Sequence, residues 1–173
     1  MPAILAAWIV SLLRMSALAV ALAPSLLAPL AAPIAAASAT LLVLAVLGYR
    51  KGAAVPEHHL ALQDPFELPL LLRFTAMMAA ILLAAKIFSS PSGLVTVGAI
   101  SGLLDVDPVT ISAAQMSNAG LPGSAAAMTI LAAGASNLLA KTVLGFAFGG
   151  RRLGLWLAGA ALVSAAAAVA VSV

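Results

Sequence analysis

Of the 173 residues, 64% are hydrophobic and 8% charged, with a mean hydropathy of +1.20, against roughly 45–50% apolar and 25% charged in an average soluble domain. No soluble fold hides that much apolar surface, so the composition predicts an all-α integral membrane protein. The formal charge of +3 would suggest nucleic acid in a soluble chain, but here the basic residues sit beside or inside apolar runs, and the lack of cysteine excludes disulfides, thiolate metal sites and cysteine nucleophiles.

The first apolar run goes from about Ala3 to Ala23 and closes at Pro24. It lacks a basic n-region and carries Arg14 where a signal peptide is purely apolar, so it reads as a retained helix. A second run, after Pro29 and Pro33, reaches about Gly48. The polar stretch over 49–69, with the loop proper over 49–64, must lie outside the hydrocarbon. Within it Asp64, Pro65 and Glu67 sit as an N-cap, an N1 proline and a capping-box acid, which starts a third run reaching about Phe88.

A fourth run from about Leu94 to Ser117 is interrupted by the sequence DVDP, and a fifth follows from about Ser124 to Phe148. The sequence GGRR then introduces a sixth, from about Leu153 to the end. Each run has about the 20 residues one crossing needs. The expected architecture is a single transmembrane domain over 1–173 of about six spans, with both termini on one side unless the fourth is a broken or re-entrant pair of half-helices. In a plain six-span arrangement Arg50 and Lys51 fall on one side, and Arg151, Arg152 and the nearby Lys86 on the other. That balance gives no orientation, and it suits dual insertion or a broken fourth span equally.

The segment ILAAWIVSLLRMSAL from Ile4 lies over ILAAGASNLLAKTVL from Ile130, an offset of about 126 residues. Ser11 falls over Asn137 and Arg14 beside Lys141, and the second and sixth runs follow in register. A partial internal repeat is expected, with an incomplete first copy over 1–48 and a second over 65–173.

Asp105 and Asp107 stand near the middle of the fourth run. An ionised carboxylate there costs at least ~2.5–3.5 kcal/mol, so two need compensation. Pro108 removes a backbone donor and Gly102 loosens the preceding turn, which predicts a break from Asp105 to Pro108 with carbonyls freed beside two carboxylates. Hard cations such as Mg²⁺ prefer such oxygen ligands. On an intact helix Asp105 shares a face with Ser101 and Ser112 while Asp107 points away; only a broken one lets both converge. The plainer alternative pairs the aspartates with Lys141 or Arg14, or has them cap a half-helix.

In the fifth run Asn137 and Lys141 share a stripe with Gly134 and Gly145, an interior face. Asn137 could add a ligand oxygen and Lys141 a displaceable counter-charge, or the two could be a buried bridge and interhelical glue. Glu57, His58 and His59 read as solvated loop residues rather than a metal trap. Met77, Met78, Met116 and Met128 read as gap-fillers. No ATPase, dinucleotide or hydrolase motif is present, so the chain is not expected to be an enzyme and no cofactor is implied.

The ordered motifs DPFELP, ISGLLDVDPVTISAAQM, ILAAGASNLLAK and GGRRLG resemble the uncharacterised polytopic domain found C-terminal to the MgtC/SapB region of bacterial membrane proteins, and the similarity covers essentially the whole chain. The resemblance marks Gly102, Asp105, Asp107, Thr110 and Ser112 in one motif, and Asn137 and Lys141 in the other, as the family's polar positions. It implies a multi-pass protein of the inner membrane with a loose link to Mg²⁺ or other cation physiology. The family's longer form carries a second glycine-rich helix upstream, which implies homodimerisation or a partner supplying the missing helices. The expected activity is transport of a small cation, a divalent metal such as Mg²⁺ first, through a site of Asp105, Asp107, Asn137, Lys141, Ser101, Thr110 and Ser112, with Asp105, Asp107 and Asn137 as metal ligands. The alternative is a non-transporting membrane subunit that regulates or scaffolds a partner protein.

Overall fold

The computed structural model describes residues 2–50, Leu72, 94–103 and 105–172. Apart from Leu72, the predicted third run lies outside the described residues, as do its acidic start at Asp64 to Glu67, the Glu57, His58 and His59 cluster, Met77, Met78, Lys51 and Lys86. Those described are helical, without a strand among them: α1 (Pro2–Leu22), a 3₁₀ turn (Pro24–Leu26), α2 (Leu27–Arg50), α3 (Leu94–Gly102), α4 (Val106–Asn118) and α5 (Gly123–Ala170).

Three helical stretches are long and apolar enough to cross a membrane: Pro2–Leu22, Pro24–Arg50 and Gly123–Ala170. Each packs through one narrow stripe. In α1 that stripe is Leu5, Trp8, Leu12, Met15 and Ala19, and in α2 it is Leu30, Ile34, Ala37, Leu41 and Ala45. The spacing of three and four residues is that of a helix seam. Val10, Leu13, Leu42 and Val46 point outward, where lipid satisfies them. The second helix starts earlier than the prolines suggest. Pro29 falls in its first turn and Pro33 inside it, because neighbouring helices make good a missing donor in a membrane bundle.

The 48-residue α5 is divided by Gly150, whose φ of 76° and ψ of 172° belong to glycine alone. The two arms, 123–149 and 151–170, fold back on each other: a methyl on Gly145 would touch Leu157, and one on Gly154 would run into Phe146. Along a continuous helix residues 145 and 157 would stand about 18 Å apart.

The direction of each helix follows from its contacts. Lys141 meets Ser11, Gly134 meets Met15 and Gly123 meets Leu26, so α1 runs antiparallel to the first arm of α5. Gly98 lies against Thr129 and Gly102 against Ala133, so α3 runs parallel to that arm. Asp107 meets Arg14 and Asn118 meets Leu22, so α4 runs parallel to α1. Together these make α3 and α4 antiparallel: the chain enters the bundle with one and leaves by the same end with the other.

The break lies between Gly102 and Val106, so it begins two residues before the DVDP sequence and includes its first aspartate, and Asp107 and Pro108 already belong to the first turn of α4. Asp105 has the extended backbone of an N-cap (φ −151°, ψ 132°), and a proline in the first turn forfeits a donor that has no intrahelical partner.

This re-entrant pair changes the charge distribution. Gly48, two residues before Arg50, packs on Trp156, a few residues after Arg151 and Arg152. Arg50, Arg151 and Arg152 therefore share one end, against the plain six-span arrangement. The described ends are also on opposite sides. Ser172 shares a cavity with Val95 and Met128, away from the arginines, whereas Pro2 begins at the arginine end.

Candidate functional site at the helix break

The break falls near the middle of the bundle. Arg14 is about 18 Å from the start of α1 and about 12 Å from its end, and α3 is only about 13 Å long, half a hydrocarbon core. What seats α3 at that depth is the absence of side chains. A methyl on Gly98 would lie 2.7 Å from Thr129 Cγ2 and 2.8 Å from its carbonyl oxygen, and one on Gly102 would overlap the Ala133 backbone. The two glycines, four apart, let α3 rest on the backbone of α5.

Asn137, one turn beyond Ala133, completes that seat: its Nδ2 donates to the Gly102 carbonyl at 3.2 Å. The carbonyls at the end of a short helix lack intrahelical donors, and an amide from the neighbouring helix replaces one. Removing it through Asn137→Ala is expected to lower the unfolding free energy by about 1 kcal/mol, read as a lower melting temperature in detergent; an unchanged melting curve would mean this bond contributes nothing to seating α3.

Across the break, Asp105 Oδ1 accepts from the Asp107 amide at 3.1 Å and so caps α4. The Asp105 amide donates to the Ser101 carbonyl at 3.0 Å, tying the turn to α3. Asp107 Oδ2 receives Arg14 Nη2 at 2.7 Å. Both plainer roles foreseen for the aspartates are thus present, one as a cap and one as an ion pair. The pair is not enclosed: 65% of the Arg14 side chain and 31% of that of Asp107 are exposed, and Asp105 is exposed as well.

Lys141 turns to α1 and donates to Ser11 Oγ at 3.0 Å, rather than bridging to either aspartate. Two carboxylates, one guanidinium and one ammonium gather at a single level, and their formal charges cancel. Ser101 and Ser112 line a cleft of about 160 Å³ between α3 and α4, with Pro108, Met116 and Thr129. Thr110 is the residue that stands apart. It is fully buried, and its Oγ1 donates to the Val106 carbonyl at 2.9 Å within its own helix. Among the described residues no three His, Cys, Asp or Glu side chains gather as metal ligands.

A larger cavity of about 380 Å³ lies between α1, α2 and the arms of α5, lined by residues such as Leu12, Met15, Ile34 and Leu138. Its Ser164 hydroxyl is already bonded to the Ala161 carbonyl, so it offers a charged ligand little. Two residues of the central cluster stood outside the candidate site read from the sequence, Ser11 and Arg14. Ser11 aligns with Asn137 at the 126-residue offset and Arg14 falls beside Lys141, and Arg14 is also the pairing partner that the plainer reading of the aspartates names.

Three long apolar helices, with an antiparallel pair of short helices packed on two of them and charges at the turn between, define a polytopic helical membrane protein. The chain belongs to the family described as domain of unknown function DUF4010, whose model matches residues 1–149, up to the Gly149 and Gly150 turn. This is in keeping with the uncharacterised domain that the sequence motifs resemble. No curated protein and no solved structure matches the chain.

Proposed function

We propose that the chain is a membrane transport protein, a secondary transporter or channel, for a small cation, with Asp105 and Asp107 as its ligands. The observation that carries this reading is the exposure of charge at mid-depth. A pair that served only to lock the bundle would be enclosed, whereas Arg14 keeps most of its guanidinium uncovered and Asp105 stands open beside it. Uncovered charge at that level is costly in hydrocarbon and belongs to a watered route.

The charge balance suggests how the site works. With Arg14 on Asp107 the cluster is neutral, so an arriving cation takes the place of the guanidinium rather than adding to it. Mg²⁺ is the first substrate. It commonly binds through one or two carboxylates and keeps several waters, which suits a site with two aspartates and an Asn137 amide oxygen nearby. Lys141 serves as the second counter-charge, and Ser101 and Ser112 as hydroxyls along the approach.

The partial repeat expected from the sequence points to the same class of protein. The turns at Pro24 and Gly150 are separated by the 126-residue offset of the sequence match, and the matched helices run antiparallel. In this reading the chain is a bundle of about six segments with an inverted-topology repeat, and the site lies where the two copies cross. A bacterial inner membrane and a homodimer, or a partner contributing further helices, complete the proposal.

The test is flux of a panel of divalent and monovalent cations into liposomes, with wild type beside Asp105→Asn. Saturable flux lost in a folded mutant is expected; equal uptake by the mutant would remove Asp105 from the site. The second reading, a non-transporting subunit, draws on the fact that Asp105 caps and Asp107 pairs. It predicts no flux, and a changed oligomer size in detergent for Asp105→Asn or Lys141→Ala.

A further inference from the structure

Most of the exposed residues of α4 and its cap fall on one face, which Met116, 39% exposed, shares with four others. Asp105, Pro108, Ser112 and Gln115 succeed one another at three and four residues, and all are exposed, whereas Val106, Val109, Thr110, Ala113 and Ala114 are buried against the bundle. A half-helix that entered lipid would turn apolar residues outward, as α1 does with Val10 and Leu13. Here the outward face carries a carboxylate, a hydroxyl and a carboxamide, with Pro108 and the Met116 thioether as its apolar members. The cleft of about 160 Å³ behind it, between α3 and α4, adds the hydroxyl of Ser101, while that of Thr129 is held by the Ala125 carbonyl.

The line has a closed end and an open end. At the break it meets the Arg14–Asp107 pair, and past that level the bundle is filled by Leu5, Trp8 and Leu138. At its other end lie Asn118 and the turn into α5, away from Arg50, Arg151 and Arg152. Cytoplasmic ends of membrane helices are enriched in arginine and lysine, which sets the arginine end inside and the mouth of the re-entrant pair outside.

We propose that the Asp105, Pro108, Ser112 and Gln115 line of α4, with the cleft behind it, is the wall of a water-filled half-path that opens on the non-cytoplasmic face and ends at the Arg14–Asp107 pair. Water, and small hydrated cations with it, reaches mid-membrane from that face alone in the conformation described. The inference rests on the transport reading only for what the water carries; the existence and side of the path are separate from it.

The absence of cysteine makes the test direct, since each engineered thiol is the only one present. Ser112→Cys and Gln115→Cys, in membranes, are to be treated with a charged, membrane-impermeant methanethiosulfonate from either face and read by mass shift. Leu139→Cys is the control, because Leu139 is 55% exposed on the outer surface of α5 and its thiol would lie in lipid. Modification of positions 112 and 115 at least tenfold faster than 139, from the non-cytoplasmic face only, is expected. Rates no faster than at 139, or equal rates from the cytoplasmic face, would overturn the proposal. Labelled thiols in a protein without cation flux would retire the transport reading and leave the path. Flux with unlabelled thiols would do the reverse.

Discussion

Asp107→Asn is expected to abolish cation flux and to lower the melting temperature in detergent, and adding Arg14→Gln is expected to restore most of the stability and none of the flux. In the single variant Arg14 loses the carboxylate 2.7 Å from its Nη2. An uncompensated charge left by breaking a fully buried pair costs about 3–5 kcal/mol. The Arg14 side chain is 65% exposed, so solvent takes up part of that loss and about 1–2 kcal/mol is the expected effect. Removing both charges removes the penalty, and Asn with Gln can share a neutral hydrogen bond in the same place. The flux result separates the two readings of the chain. If Asp107 receives the travelling cation, no partner substitution can replace its carboxylate; if the pair only holds the bundle, the double variant behaves as wild type in every assay. A single variant as stable as wild type would mean that the pair contributes nothing to the fold.

What the sequence made legible follows from how each signal is encoded. The helical membrane class is stated by composition, and the broken fourth run by two aspartates and a proline within four residues of an apolar stretch. The break begins two residues earlier than the proline suggests, because Pro108 looks like a breaker in sequence whereas Asp105 has already started a new helix whose first turn accepts it. The prolines of α2 misled in the same way. Thr110 was grouped with the site by its place in a motif, yet its hydroxyl is spent on the Val106 carbonyl, a bond that spacing alone does not reveal.

The arginines were the instructive case. Counting charges needs the number of crossings between them, and a run that enters and leaves by one face counts as none. With α3 and α4 antiparallel, Arg50, Arg151 and Arg152 come to one end, and among the described residues the helix-end charges are asymmetric. Gln115 was invisible for a related reason. On a helix that crosses the membrane its side means little, but on a half-helix its spacing from Ser112 and Asp105 puts three polar side chains on the exposed face.

Gly102→Val is expected to be the most damaging single change in the described bundle. Gly102 ends α3 and has no room for even one carbon beyond Cα, since a methyl would overlap the Ala133 backbone. Backbone cannot rotate aside as a side chain does, so α3 must lift away from α5. Overpacking of this kind costs typically about 1–3 kcal/mol, and here it also pulls the Gly102 carbonyl from Asn137 and shifts the turn that carries Asp105. Gly98→Ala should cost less, because part of its conflict is with the Thr129 methyl, although the Thr129 hydroxyl is held by the Ala125 carbonyl. Gly159→Ala faces open space and should be neutral or slightly stabilising, as alanine suits a helix interior better than glycine. Melting temperatures in detergent should therefore fall in the order Gly159→Ala, Gly98→Ala, Gly102→Val. Flux should vanish for the last even below its melting point, since the half-helix end that aims Asp105 no longer sits at its level. Equal melting of Gly102→Val and wild type would mean that α3 is not seated on α5, and the re-entrant pair would lose its support.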